Sequence, residues 1–452
     1  MGLVRFLRYN HLPMKNLVLF ALLMVGASAA EASLNLPTAA TYESGRLLCQ
    51  DKYKDLVSFE KGTYVTVPVD YADLSKGTTD VYAFFSGGYD PKKETILYFT
   101  GGPGQTAHWG LFRVSMPYNV LIVEHRGVGC SRPATVQQLL SPSFYSSEFV
   151  ARDAQKIVKS FGLDKVTAYG ISYGTVPATM FGSLFPELTR SVILEGTVYS
   201  GSERLWSAPH RRKLMQKMID GLPTEIKAKM DRISTQYGVP NTWLSRTARG
   251  TLMLNDGLRN LRNQLMSLAD EKTYQGYIEQ LKDMYEPLSY EPHILFTMNE
   301  VPYTMISCRE LGLANPGTAT SDALINGKLY PAPDEDSLNN CKQLNARADQ
   351  TYFATKYPLK VPVTYFQGSD DSATPSPEGI RHYKEVPQGF KQLLILVRGG
   401  HNPNLSNIGN EAPGQKELFA YAVAGKAVPA EFLKKIQKAQ ELKWVYTSKN
   451  AE

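Results

Sequence analysis

The pentapeptide Gly170-Ile171-Ser172-Tyr173-Gly174 constrains this chain more than any other feature. It follows a short apolar run, Val166 to Tyr169, and precedes a helix-compatible stretch that ends near Phe185. A serine on a sharp strand-to-helix turn is lifted above the sheet in a strained conformation, where bulky flanking residues would clash, and glycines on both sides meet that demand. The pattern alone is weak, so the assignment rests on its partners.

A serine hydroxyl is a poor nucleophile near neutral pH. It needs a histidine to take its proton and an acid to hold that histidine in the right tautomer. On a sheet with such an elbow the chain order is serine, acid, histidine. Val361 to Gln367 reads as a β-branched, aromatic strand running into Gly368-Ser369-Asp370-Asp371-Ser372-Ala373-Thr374-Pro375, which puts Asp370 or Asp371 on the turn where the acid belongs. Gln392 to Val397 is a further apolar strand, followed by Arg398-Gly399-Gly400-His401-Asn402-Pro403. Of the seven histidines, only His401 follows a strand and a glycine pair. Arg381-His382-Tyr383 reads as a solvated helix face, and His210 lies in a basic helical run with Arg211, Arg212 and Lys213.

Acyl transfer also needs donors aimed at the developing oxyanion. Glu94 to Thr100 is a buried-type strand that enters Gly101-Gly102-Pro103-Gly104, whose small residues let backbone N–H groups approach a substrate. Gly102 on this turn and the backbone N–H of Tyr173, just after the serine, are the expected oxyanion donors. His108, Trp109 and the Tyr173 ring are candidates to line a pocket or simply to pack.

Three ordered motifs, Gly101-Gly102-Pro103-Gly104, then Glu124-His125-Arg126-Gly127-Val128-Gly129-Cys130-Ser131-Arg132-Pro133, then Gly170-Ile171-Ser172-Tyr173-Gly174, resemble the proline iminopeptidase and tripeptidyl aminopeptidase group of α/β-hydrolases. Tyr64-Val65-Thr66-Val67-Pro68-Val69-Asp70-Tyr71 resembles a segment of the tripeptidyl branch. The resemblance implies an α/β-hydrolase fold, a mostly parallel sheet with helices on both faces. It also favours Asp371 over Asp370 as the triad acid. Two departures bear on the strand ends: the family commonly carries aspartate where this chain has Glu124 and Glu195, which keeps the charge on a longer arm.

Roughly residues 198–358 separate the two halves of the expected sheet, too long a span for a loop. Its helix-like pieces run from Glu203 to Leu222, Thr224 to Tyr237, Thr242 to Asp270 and Glu271 to Tyr285. They are expected to form an inserted helical cap, because an insertion at the carboxyl end of a parallel strand emerges beside the active site. The expected organisation is a signal peptide over 1–29, hydrolase core over 30–197 and 359–452, and cap over 198–358.

At the amino terminus, Lys15 precedes the apolar run Leu17 to Ala27, with Ala27-Ser28-Ala29 or Ala30-Glu31-Ala32 as cleavage sites and Met14 as an alternative start. The run is too short to span a bilayer. Export to the periplasm or beyond, with no stable membrane anchor, is expected. Losing Arg5, Arg8 and Lys15 and no acid would take the formal charge of +6 down by three, to +3. An oxidising compartment gives Cys49, Cys130, Cys308 and Cys341 three possible pairings, of which sequence proximity favours Cys308 with Cys341 and leaves Cys49 with Cys130. No cysteine has a second ligand at metal-binding spacing, and no metal or cofactor is expected. The basic run at 210–213 lacks the aromatic platform of a nucleic-acid surface.

Two function classes follow. The resemblance supports an aminopeptidase releasing one to three residues, proline-containing ones among them, from a free peptide amino terminus. Such an enzyme needs a cap carboxylate for the substrate ammonium, and Glu203, Glu300 and Glu310 are candidates by position. A small-molecule esterase, amidase or lactonase with the same triad is the alternative, because fold and triad do not fix the acyl substrate.

Overall fold

The computed structural model describes residues 34, 36–52, 62–107, 116–201, 209–240, 243–285, 298–315, 324–325, 328–329, 335–409, 411–439 and 443–449. The expected signal peptide, Glu203, His108 and Trp109 lie outside them.

Eight connected pairings build one nine-stranded sheet. In chain order the strands are β1 (Thr63–Pro68), β2 (Thr78–Ser86), β3 (Thr95–Phe99), β4 (Asn119–Val123), β5 (Val166–Ile171) and β6 (Thr189–Glu195). After the small ribbon β7 (Leu324–Ile325) and β8 (Lys328–Leu329) come β9 (Val363–Gly368), β10 (Lys391–Leu396) and β11 (Trp444–Lys449). Across the sheet the order is β1-β2-β4-β3-β5-β6-β9-β10-β11. The six strands from β4 to β10 are parallel, while β2 and β11 run against them and β1, antiparallel to β2, closes the margin. β3, β4, β5 and β9 are buried at every residue, as strands covered on both faces must be, which explains their unbroken apolar runs.

Two apolar clusters sandwich the sheet. Leu97, Phe99, Leu121, Val192 and Tyr365 face one way with the helices Ser147–Ser160 and Thr175–Leu184, and Ile96, Tyr98, Ile193, Phe366 and Leu394 face the other with the helix Gln415–Val423. Arg126, from the Glu-His-Arg-Gly motif, is buried within the first layer. Its Nε and Nη2 donate to the two carboxylate oxygens of Asp153 at 2.8 and 2.6 Å, and Nη1 donates to Val69 O at 2.8 Å. One guanidinium thus ties the end of β1 to the helix Ser147–Ser160.

The inserted residues divide in two. Helices Pro209–Asp220, Thr224–Tyr237, Trp243–Leu252, Gly257–Met266 and Glu271–Tyr285 enclose their own cluster, with Met215, Ile233, Trp243, Leu265 and Ile278 at its centre. The helix Glu300–Arg309 instead sends Val301, Met305, Ile306 and Cys308 into the cluster of the main sheet. The expected helical piece Thr242 to Asp270 is broken at 253–256, where Asp256 takes a left-handed φ of 57°. The cysteines pair as proximity favours, Cys49 with Cys130 and Cys308 with Cys341. Among the described residues no helix is long and apolar enough to cross a membrane.

Candidate active site at the carboxyl edge of the sheet

Ser172 follows β5 directly and is the first residue of a tight turn into the helix Thr175–Leu184. Its φ is 56°, the left-handed region in which a side-chain-bearing residue is strained. The flanking glycines are required by contact. A Cβ on Gly170 would lie 2.2 Å from Gly174 O, and one on Gly174 would lie 2.2 Å from Phe99 O. The Thr175 hydroxyl locks the turn, donating to Ser172 O at 2.6 Å and accepting the Val198 N–H at 3.0 Å.

Asp371 and His401 are both buried and meet across the ends of β9 and β10. His401 Nδ1 lies 3.0 Å from each Asp371 carboxylate oxygen. The same carboxylate accepts the N–H groups of Ala373 and Thr374 at 2.8 and 2.9 Å, and the Thr374 hydroxyl at 2.8 Å. Burial pushes the carboxyl up, but the imidazole and these donors outweigh it and hold Asp371 below its ordinary value. An ionised carboxylate only accepts, so the proton of a neutral His401 ring belongs on Nδ1, leaving Nε2 basic. Asp370 is partly exposed and accepts only the Ser369 hydroxyl among its recorded side-chain contacts.

Strand register brings this pair toward Ser172. Ile171 is paired with Glu195, and the next residue, Gly196, lies against the imidazole: a Cβ there would be 3.0 Å from His401 Cε1 and Nδ1. The Gly-Gly-Pro-Gly turn passes on the other side, with a Cβ on Gly101 falling 3.4 Å from Ser172 Cβ. Gly102 and Gly104 take φ of 22° and 94°. Tyr173 points away from solvent; its ring packs on His125, and its hydroxyl is 3.0 Å from that of Ser147.

Three carboxylates near the site were not legible as positioned groups. Glu195 is buried, bonds the Tyr169 hydroxyl, and accepts the N–H groups of Asn404 and Leu405 at 2.7 and 3.1 Å, at the start of the helix that follows His401. Glu124 accepts the N–H groups of Cys130 and Ala107 at 2.6 and 3.2 Å. Its longer arm occupies the space left by Gly129, where a Cβ would fall 2.6 Å from Glu124 Oε1. Burial pushes both carboxyls up to about 7, so the longer acids do not simply keep an aspartate's charge. Glu310 is also buried: it accepts the Ser147 N–H and hydroxyl at the start of the helix Ser147–Ser160, and burial raises its carboxyl.

Glu300 is placed differently. It is exposed and opens the helix whose preceding residue, Asn299, donates its backbone N–H to Gly104 O at 2.8 Å and accepts the Gly129 N–H at 3.2 Å. Glu300 therefore follows directly on a residue bonded to the Gly101–Gly104 turn. One helix face differs from expectation: His382 is fully buried, bonded to Tyr365 and Thr179, because the helix Ser376–Glu385 turns that side against the sheet.

Residues 94–255 match the family described as the alpha/beta hydrolase fold. The chain has the α/β-hydrolase fold. Its sequence is 27% identical over 138 residues to a probable proline iminopeptidase of Streptomyces coelicolor, a stretch covering 30% of this chain and 42% of that protein. It is 23% identical over 196 residues to a tripeptidyl aminopeptidase of Streptomyces lividans, covering 32% of this chain and 36% of that one. The match thus spans less than half the length of either curated relative. Among solved structures, a thermophilic esterase from Thermogutta terrifontis is similar over 81% of this chain and 100% of its own, with 15% identity and a TM-score of 0.41.

Proposed function

We propose that this α/β hydrolase is an exported serine aminopeptidase that releases one to three residues from the free amino terminus of a peptide. The carrying observation is the buried Asp371–His401 pair at the sheet edge beside the strained Ser172. In this reading His401 Nε2 takes the Ser172 hydroxyl proton as Oγ attacks the scissile carbonyl. The Gly102 and Tyr173 N–H groups stabilise the oxyanion, and collapse breaks the C–N bond as His401 protonates the leaving amine. Water, deprotonated by the same imidazole, then releases the acyl group. The two disulfides support export, since such bonds persist in oxidising compartments.

Restriction to amino-terminal residues requires an anion for the substrate ammonium. Glu300 suits that task by its exposure and its position on the segment bonded to Gly104, whereas Glu310 is already engaged with Ser147. The test is product analysis by mass spectrometry of a mixed peptide library in free and amino-terminally acetylated forms. Ladder loss from the free form alone supports the reading. Absence of peptide cleavage, with ester turnover that depends on Ser172, would replace it with an esterase or amidase.

A further inference from the structure

The loop that carries His401 is held from outside the sheet. The break between the inserted helices Trp243–Leu252 and Gly257–Met266 lies directly against residues 398–407, and the contacts between them are mostly polar and specific. The His401 N–H donates to Met253 O at 2.9 Å, the Gly400 N–H to Asn255 Oδ1 at 3.1 Å, and the Asp256 N–H to Arg398 O at 2.7 Å. Asn255 Nδ2 donates to Asn407 Oδ1 at 3.0 Å and approaches Pro403 O at 3.5 Å, and Arg398 pairs with the Asp256 carboxylate at 3.2 Å. The fit is close: a Cβ on Gly400 would fall 2.4 Å from the carbonyl oxygens of both Met253 and Leu254. Both sides are strained to make it, with Asp256 and Arg398 at φ of 57° and 61°.

We infer that Asn255 is a positioning residue for His401, and that the insertion seats the imidazole as well as covering the sheet edge. Asn255 is the only side chain recorded on both flanks of the histidine, accepting from Gly400 before it and donating toward Pro403 and Asn407 after it, among the described residues. Asp371 fixes the ring from one end, at Nδ1. The backbone anchors at Gly400 and His401 fix the other end. A shift of about 1 Å in such an anchor is enough to cost about a hundredfold in rate.

This inference rests on His401 acting as the base, so the experiment separates the two. Asn255→Leu keeps the volume and removes both hydrogen-bonding functions. Asn255→Asp keeps an acceptor for the Gly400 N–H. With p-nitrophenyl acetate as substrate, Asn255→Leu is expected to lower kcat by about tenfold to a hundredfold with KM little changed, and to slow phosphonofluoridate labelling of Ser172 in the same ratio. Asn255→Asp should recover most of that loss. Asn255→Ala replaces the leucine variant if circular dichroism shows the latter unfolded. Folded leucine or alanine variants at the parent rate, or an aspartate variant falling as far as they do, would overturn the positioning role while an inactive His401→Ala left the catalytic reading standing. A fully active His401→Ala would remove both.

Discussion

The Glu195 carboxylate accepts the backbone N–H of Asn404 at 2.7 Å, three residues beyond His401. Burial pushes that carboxyl from its ordinary value up to about 7, while in the unfolded chain it returns to about 4.5. The folded state therefore holds a proton on Glu195 that the unfolded state has released across this window. The extra stability is complete below about pH 4.5 and lost as pH rises through about 7. Glu195→Gln has no such titration. The stability of the parent relative to this variant should therefore fall between pH 5 and pH 8, by up to roughly 3 kcal/mol, in paired denaturant melts. A gap that stayed constant would mean that Glu195 is ionised throughout.

Asp371→Asn should lower kcat by about 10⁴-fold, because an amide can no longer hold the His401 tautomer, whereas Asp370→Asn should leave kcat within a few-fold. Steady-state rates for the two variants decide which acid orients the ring. Equal losses in both would remove the distinction drawn from burial and contacts.

Glu300→Gln should raise KM for free-amino-terminal peptides by about tenfold or more, with smaller change in the turnover of p-nitrophenyl acetate, which has no ammonium. Glu310→Gln should instead lower stability, since it weakens the contact with Ser147. A KM that moves only in the Glu310 variant would transfer the ammonium site to that residue.

Arg126→Lys should destabilise the protein by about 2–4 kcal/mol, measured in urea. A lysine keeps the charge but not the paired donors on Asp153 and the reach to Val69 O.

Reduction of the disulfides should lower the thermal midpoint. The Cys308–Cys341 bond closes a sequence separation of 33 residues, and a double Cys→Ser variant there should lose about 2–4 kcal/mol. Midpoints with and without reductant should converge in a variant lacking all four cysteines.

Local signals made the strands, the elbow and the histidine loop readable, because each is a strand followed by a turn whose chemistry is encoded within a few residues. β5 extends to Ile171, two residues past its apolar run, and β10 covers Lys391–Leu396 against an expected Gln392 to Val397. The break at 253–256 is masked by Leu252, Leu254, Leu258 and Leu261, which keep an apolar rhythm through it, and that rhythm outweighs the turn signal of Asn255-Asp256-Gly257. Its cause is tertiary, the fit against Arg398 and Gly400. Glu195 and Asn255 lie some two hundred and one hundred and fifty residues from their partners, so the sequence marked Glu195 as a departure at a strand end without showing what it holds, and did not mark Asn255 at all. Only the family resemblance favoured Asp371 over its neighbour; the structure separates them through an Asx-type turn in which Asp371 accepts the N–H groups of Ala373 and Thr374. His382 escaped because a polar residue on an amphipathic helix looks solvated until the sheet beneath it is known.

Gly196 adopts φ of 62°, and a Cβ on it would meet His401 O at 2.7 Å. Both constraints act on one position. An alanine there would leave the strands, the serine and the aspartate in place and still displace the loop that carries the imidazole. A complete set of motifs therefore does not by itself guarantee a seated histidine; the residue after β6 has to be small as well.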